Sequence, residues 1–429
     1  MTRSGALLAV LLAVSPAAAQ DTGGAGAPPR VIGLDEAYSL SLKRSETLAQ
    51  SQEAVNEALA RVDELRSSIL PHVSLVGNYT FQQNPNGTQS SLNTTTVPLL
   101  YITATQPIFS GFREFLAFKA GRRTAESAQL TEKRAESLLY QDVAQAYLTL
   151  LNLQNEVSIR ETIVKAAQDR MGQLDHWVRI GRSRESEVLA ARSQVANFEA
   201  LVQIARGQER VAQESLRFLT GLDADFHPKP VSLPALRPMV PYLARARGRD
   251  DVESRRKALE AAELTTSVAR RQVWPTIGLT GDYYLKRTGL VGNTHYDAIL
   301  AMNMPLFYSG QIKAQVRENK ARENEAYQAV SLAERSAERE VRSAYRSFEW
   351  GLSAAAALRK AADLAEANLA AQEKDYKLSL VTNLEVLDSL STLSTARLAL
   401  NSASQQAALA LEQLEVAAGG PARPGADKP

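Results

Sequence analysis

The sequence predicts a mainly α fold with a small membrane β-barrel contribution. Long antiparallel coiled-coil helices and four β-strands per chain are arranged as an internal two-fold repeat. Three observations carry this expectation. The segments QPIFSG (106–111) and MPLFYSG (304–310) write one strand-to-helix junction twice. Each follows a short β-like stretch and precedes a very long alanine- and charge-rich run of helical period. After the first 19 residues, no stretch approaches the ~18 apolar residues of a membrane helix. A membrane crossing would therefore have to use a β-barrel.

Residues 1–19 (MTRSGALLAVLLAVSPAAA) read as a secretory signal peptide: Arg3 at the positive end, an apolar core from Ala6 to Val14, and small residues at 17–19. Residues 20–30, with their GGAGAPP run, read as a flexible segment. The first repeat, 31–221, opens with a helix-like run over about 34–69. Pro71 ends it, because proline lacks a donor and biases the preceding residue away from the α region. Strands follow at about 72–83 and 97–106. In the first, Val73, Leu75, Gly77, Tyr79 and Phe81 share a face opposite His72, Ser74, Asn78, Thr80 and Gln82. The second strand alternates less cleanly, and a turn-rich loop joins the two.

Past Pro107 and Gly111 a helical run extends over about 112–180. Its seam is Leu139, Val143, Ala146, Leu150, Leu153, Val157, Val164, Ala167, Met171, Leu174 and Val178, in steps of four and three with one skip at Arg160. A break at Gly181-Arg182-Ser183 precedes a returning helix to about Thr220. Residues 222–243 are a proline-rich linker. The second repeat, 244–417, repeats the plan: a helix over 244–273, Pro275, strands at about 276–287 and 295–304, Pro305, Gly310 and a helix over 311–378. It then breaks at Ser379-Leu380-Val381-Thr382 and returns to about Ala417. Pro71 to Pro275 is an offset of 204, and Pro107 to Pro305 one of 198. Residues 418–429 read as a disordered tail.

Composition excludes several classes. The 49 basic and 47 acidic residues give no electrostatic case for nucleic acid, and with no cysteine there is no disulfide or thiolate metal site. The histidines at 72, 176, 227 and 295 lack metal-ligand spacing, and no phosphate-cradling glycine loop precedes a helix. Neither an enzyme nor a cofactor is expected. Four strands cannot close a membrane barrel, whose smallest single-chain form has about eight, so several chains must pool theirs: two copies give eight strands and three give twelve. A soluble periplasmic structural or adhesive coiled-coil protein with two hairpins is the alternative.

The repeat order, the two junctions and the segment YKLSLVTNLEVLDSLSTLSTARLAL (376–400) resemble the outer-membrane efflux protein family, the TolC-like export ducts, over about residues 31–417. The resemblance implies a homotrimer in the outer membrane of a Gram-negative bacterium. A twelve-stranded barrel among outer-membrane lipid would continue as a twelve-helix periplasmic tunnel, an α-barrel. Such ducts passively conduct small solutes such as drugs, or secreted polypeptides as in type I secretion. They dock through a periplasmic adaptor onto an inner-membrane pump.

The resemblance also implies a gate at the helix tips, carried residue by residue onto Tyr376, Glu385 and Asp388. Glu385 and Asp388 are three apart and so share a helical face; three copies would give a ring of six carboxylates, which favours cations. Val381 stands where the family often has a basic residue, so Arg179, Arg182 and Arg184 are the alternative partners for the acids. An ordinary solvated helix face is the other reading of Glu385 and Asp388. The tip turns, with Gly181, Ser379 and Thr382, are also the candidate adaptor contact, and Ser379 departs from the family's glycine. Tyr79, Tyr101, Tyr283, Tyr284 and Tyr296 are candidates for an interfacial aromatic girdle.

Overall fold

The computed structural model describes residues 30–83, 95–222, 226–288 and 292–420. The signal peptide, nearly all of the 20–30 segment and residues 421–429 of the tail lie outside the described residues. In chain order the elements are β1 (Arg30–Ile32), α1 (Leu34–Arg44), α2 (Glu46–Ser67), β2 (His72–Phe81), β3 (Thr96–Phe109), α3 (Arg113–Arg179) and α4 (Glu185–Thr220). There follow β4 (Phe226–Pro228), α5 (Val240–Ala246), α6 (Asp250–Arg270), a 3-10 turn (Arg271–Val273), β5 (Thr276–Lys286), β6 (Tyr296–Asn303), α7 (Gln311–Lys377) and α8 (Asn383–Ala417).

The opening run of each repeat is broken, where one helix was expected. Ser45 separates α1 from α2, and its hydroxyl accepts from the Leu48 amide at 3.2 Å, capping the new helix. In the second repeat α5 begins at Val240, inside the expected linker, and α6 starts after Arg249. The linker also contributes β4, which pairs in parallel with β1. Phe226 and Ile32 are buried there beneath Tyr147, whose hydroxyl donates to the Ile32 and Lys229 carbonyls at 2.9 and 2.8 Å.

The four longer strands form one antiparallel sheet in the order β2-β3-β5-β6. The repeat extends to its register. His72 pairs with Thr105, and adding 204 and 198 gives Thr276 with Asn303, which is the pair observed. The cross-strand pairs also sort the second strands, whose alternation is faint in sequence. Leu100, Ile102 and Ala104 of β3 lie opposite Gly77, Leu75 and Val73, while Leu300 and Met302 of β6 lie opposite Leu279 and Ile277. One face is thus apolar across four strands, and much of it is exposed: Val73, Leu75, Tyr79, Phe81, Tyr283, Leu285, Leu300 and Met302.

Parity corrects the aromatic girdle. Tyr79, Tyr283 and Tyr296 lie on the apolar face, whereas Tyr101 and Tyr284 pair on the opposite face with ring centroids 5.4 Å apart.

Pro107 does not end its strand, as expected, since β3 runs to Phe109. The register shift between Pro107 and Phe109 accommodates the missing donor. The equivalent β6 stops at Asn303, and among the described residues its outer edge has no partner strand. Gly111 is required where it stands. Its φ is +67°, and a Cβ there would lie 2.9 Å from the Trp274 Cβ.

Helices α3 and α7 have 67 residues each, on the order of 100 Å. The expected seam is realised: Val143, Leu150, Val157, Ala167 and Leu174 are buried, as are Ala337, Val341, Ala344 and Phe348 in α7. Each long helix turns back on its partner, α3 on α4 and α7 on α8, and the hairpins pack through α3 and α8. Helices α7 and α8 approach closely at Gly351, where a Cβ would sit 3.0 Å from Ala407 Cα. The main core lies midway along the molecule around Tyr147, and smaller apolar clusters continue toward the tips.

Candidate gate at the helix tips

Both tips close in the same way. The Arg182 amide donates to the Trp177 carbonyl at 2.8 Å, and the Leu380 amide to Asp375 at 3.0 Å, positions related by 198. Such a closure needs a left-handed residue at the turn. Gly181 meets this at φ +72°, and Ser379 is forced to φ +59° in the other copy. The departure from glycine therefore keeps the turn geometry and adds local strain.

The two hairpins meet at one cluster above the turns. The Tyr376 hydroxyl on α7 donates to Glu187 Oε2 on α4 at 3.0 Å. Its ring stacks on Trp177 of α3, with centroids 5.2 Å apart and planes 21° apart. The Arg170 guanidinium of α3 lies 3.8 Å over the Tyr376 ring, and its Nε donates to Asn383 Oδ1 at the start of α8 at 3.0 Å. Burial raises the Tyr376 pKa, reinforced by the Glu187 carboxylate. Burial also lowers that of Arg170, against the pull of Tyr376, Glu373 and Glu187.

The duplicated glutamates have diverged. Glu385 completes a capping box with Thr382, accepting from its amide at 2.6 Å and its hydroxyl at 2.9 Å. These bonds hold the Glu385 carboxyl below its ordinary pKa. In the first repeat Arg184 takes the place of Thr382 and has no hydroxyl to offer. Glu187 is left to accept from Ser183 at 2.6 Å and from Tyr376.

Of the residues expected at the gate, the structure places Tyr376 within this cluster. Asp388 is exposed on the first turns of α8, and Glu385 serves its own helix. Arg179 hydrogen-bonds the Asp175 carbonyl at 3.4 Å. Among the described residues of one chain, neither it nor Arg182 or Arg184 forms an ion pair with Glu385 or Asp388; the nearest tip ion pair is Arg192 with Asp175. Arg170, Trp177 and Glu187 were not singled out as site residues from sequence, and Asn383 fell only at the edge of the tip turn expected to contact the adaptor. The available signal was a charged residue beside the seam, Arg170, with a tryptophan one heptad on. Among the described residues no group of three His, Asp or Glu side chains is placed to hold a metal ion.

A four-stranded antiparallel sheet joined to two helical hairpins with long helices of 67 residues defines a class of proteins that pair a strand region with a long helical stalk. The chain belongs to the outer membrane efflux protein family, which it matches over residues 37–222 and 240–420. It is 24% identical over 410 residues to the outer membrane protein TolC of Escherichia coli (strain K12), covering 86% of this chain and 81% of that one. It is also 24% identical over 407 residues to the pyoverdine export outer membrane protein OpmQ of Pseudomonas putida, covering 89% and 83%. Among solved structures, CusC superposes with a TM-score of 0.81 at 19% identity, covering 94% of this chain and 96% of that one. The outer membrane protein VceC from Vibrio cholerae gives 0.79 at 19%, covering 90% and 96%. This is an outer-membrane efflux protein of the Gram-negative envelope, and its family is one of ducts, not of enzymes.

Proposed function

We propose that three copies form a passive duct that carries small solutes from a periplasmic adaptor and inner-membrane pump across the outer membrane, without bond chemistry. One observation carries this reading. An antiparallel sheet with one exposed apolar face and, among the described residues, two free edges, β2 and β6, runs through Pro107 and Pro305 into helices of ~100 Å. Free edges seek partners. Strand β6 of one copy against β2 of the next would close twelve strands in three copies. The joint between repeats inside the chain supplies the register. Thr103 pairs with Asp282, and the offsets of 198 and 204 carry this onto Ala301 with Asn78 of the neighbouring copy. The native chain has no cysteine. An Ala301→Cys, Asn78→Cys chain should therefore yield a disulfide-linked trimer ladder, and an Ala301→Cys, Thr80→Cys control should not. The reverse outcome would refute the closure.

The junction residues Pro71, Pro107, Gly111, Pro275, Pro305 and Gly310 would mark where barrel becomes tunnel. The tips would form the gate and the adaptor contact, with Gly181, Ser379 and Thr382 shaping the turns. In this reading Tyr376 bridges the hairpins in the closed state. Glu385 and Asp388, with Arg179, Arg182 and Arg184, set the charge at the constriction. Replacing Glu385 and Asp388 together with alanine should reduce cation preference in planar bilayers, and unchanged selectivity removes them from the constriction. The relative named for pyoverdine export favours small solutes over polypeptides. Deleting the gene should raise drug sensitivity with an unchanged secreted-protein profile; the opposite pattern would assign polypeptide cargo.

A further inference from the structure

Arg170 is the most enclosed charged side chain at the tips, 5% exposed. Its guanidinium has no carboxylate at ion-pair distance, one amide acceptor in Asn383, and an Nη2 with no hydrogen-bond partner. Its direct contacts are aromatic, the Tyr376 ring at 3.8 Å and the Trp177 ring at 5.5 Å, with Glu373 and Glu187 acting on it from farther off. A cation held over a ring face in a desolvated setting is stabilised more strongly than at an exposed site. Arg170 therefore engages α7 through the ring of Tyr376 and α8 through Asn383, from a single position on α3. The Tyr376 hydroxyl, in turn, donates to a glutamate that keeps Ser183 as a second donor.

We propose that Arg170 is the positioning residue of the latch. In this proposal the closed tip is held chiefly by the guanidinium on the Tyr376 ring face, with the Tyr376–Glu187 hydrogen bond secondary. Parting the hairpins exposes Arg170 to water and separates both contacts at once. A flat, delocalised cation is needed. Lysine keeps the charge but cannot lie flat on the ring while donating sideways to Asn383. The inference rests on the tips being the gate, and its test separates the two.

The experiment uses the purified full-length protein with Trp274→Phe and Trp350→Phe, so that Trp177 alone of the three tryptophans emits. Ion conductance in planar bilayers is measured beside Trp177 emission for Tyr376→Phe, Tyr376→Ala, Arg170→Lys and Arg170→Gln. The ring-face clamp predicts that Tyr376→Phe stays closed, with conductance within about twofold of the parent. Tyr376→Ala, Arg170→Lys and Arg170→Gln should open roughly tenfold more often, the scale of a desolvated cation–π contact. Trp177 emission should shift to longer wavelength in those three alone. If Tyr376→Phe opens as far as Tyr376→Ala while Arg170→Lys stays closed, the hydroxyl carries the latch and the proposal is overturned. No emission change in any Arg170 variant also overturns it. Emission that shifts as expected without a change in conductance upholds the clamp and instead overturns the tip as the gate.

Discussion

Replacing Tyr147 with phenylalanine isolates what fastens the strap over the middle of the molecule. Tyr147 is fully buried, and its hydroxyl donates to two carbonyls, Ile32 at 2.9 Å and Lys229 at 2.8 Å. Ile32 O keeps a second donor, the Lys229 amide at 2.9 Å. The Lys229 carbonyl loses the donor that Tyr147 supplied. The loss is therefore one ordinary hydrogen bond plus one poorly satisfied buried acceptor, about 1–3 kcal/mol in all. Since ~1.4 kcal/mol is a factor of ten, hydrogen exchange at the Lys229 amide should accelerate roughly 5- to 150-fold in Tyr147→Phe. Amides in the middle of α3 should keep their protection.

The pH dependence has a definite sign. Burial pushes the Tyr147 pKa up to about 12, partly offset by a backbone hydrogen bond with Lys229, from an ordinary value near 10. A raised folded value means that the contribution is complete below the unfolded pKa and is lost as pH rises through the folded one. The difference between wild type and Tyr147→Phe should thus be constant from about pH 6 to 9. Unchanged exchange at Lys229, or a difference that fades within that range, would refute this account of the strap.

Three further expectations concern other joints. Arg249 is 3% exposed and binds Asp251, Glu340 and the Ala417 carbonyl, tying α6, α7 and the end of α8 together. Arg249→Met strands two half-exposed carboxylates, so a loss of about 2–4 kcal/mol, below the 3–5 of a wholly buried pair, should appear as a lower thermal midpoint by circular dichroism. At the tips, Ser379→Gly should stabilise by roughly 0.5–1 kcal/mol, the left-handed strain relieved less the chain entropy of glycine, and Gly181→Ser should cost a similar amount by the same assay. The Thr382 bonds depress the Glu385 carboxyl. Their contribution is complete above the unfolded carboxylate pKa and is lost as pH falls through the depressed folded value. Exchange at the first α8 amides, corrected for intrinsic rates, should quicken in acid and should do so less in Glu385→Ala.

The duplication was legible because its junctions are punctuated by proline and glycine, whose effects are local and strong. The seam of α3 was legible for a related reason, since heptad spacing is preserved over many turns. The breaks at Ser45 and Arg249 and the pairing of β1 with β4 were not. A serine within a polar helix start, and strands of three residues, carry little period of their own. Partner contacts decide them, here Leu48 N and the Tyr147 hydroxyl. Pro107 misled in the opposite direction, because a neighbouring strand, β5, holds the chain extended past it.

At the tip, Tyr376 was found through family likeness, but its partners were not. Arg170 and Glu187 lie more than 180 residues away along the chain, and only the packing of one hairpin on the other brings them together. Glu385 shows the limit of spacing arguments. A carboxylate three residues from another shares its helical face, yet the same spacing from Thr382 makes a capping box.

The most direct test of the duct is the mass of the detergent-extracted protein by light scattering, together with its conductance in planar bilayers. A channel-forming trimer, with β2 and β6 joined between copies, is the predicted result. A monomer or dimer without conductance would contradict it, and the exposed apolar face of the sheet would then need another partner.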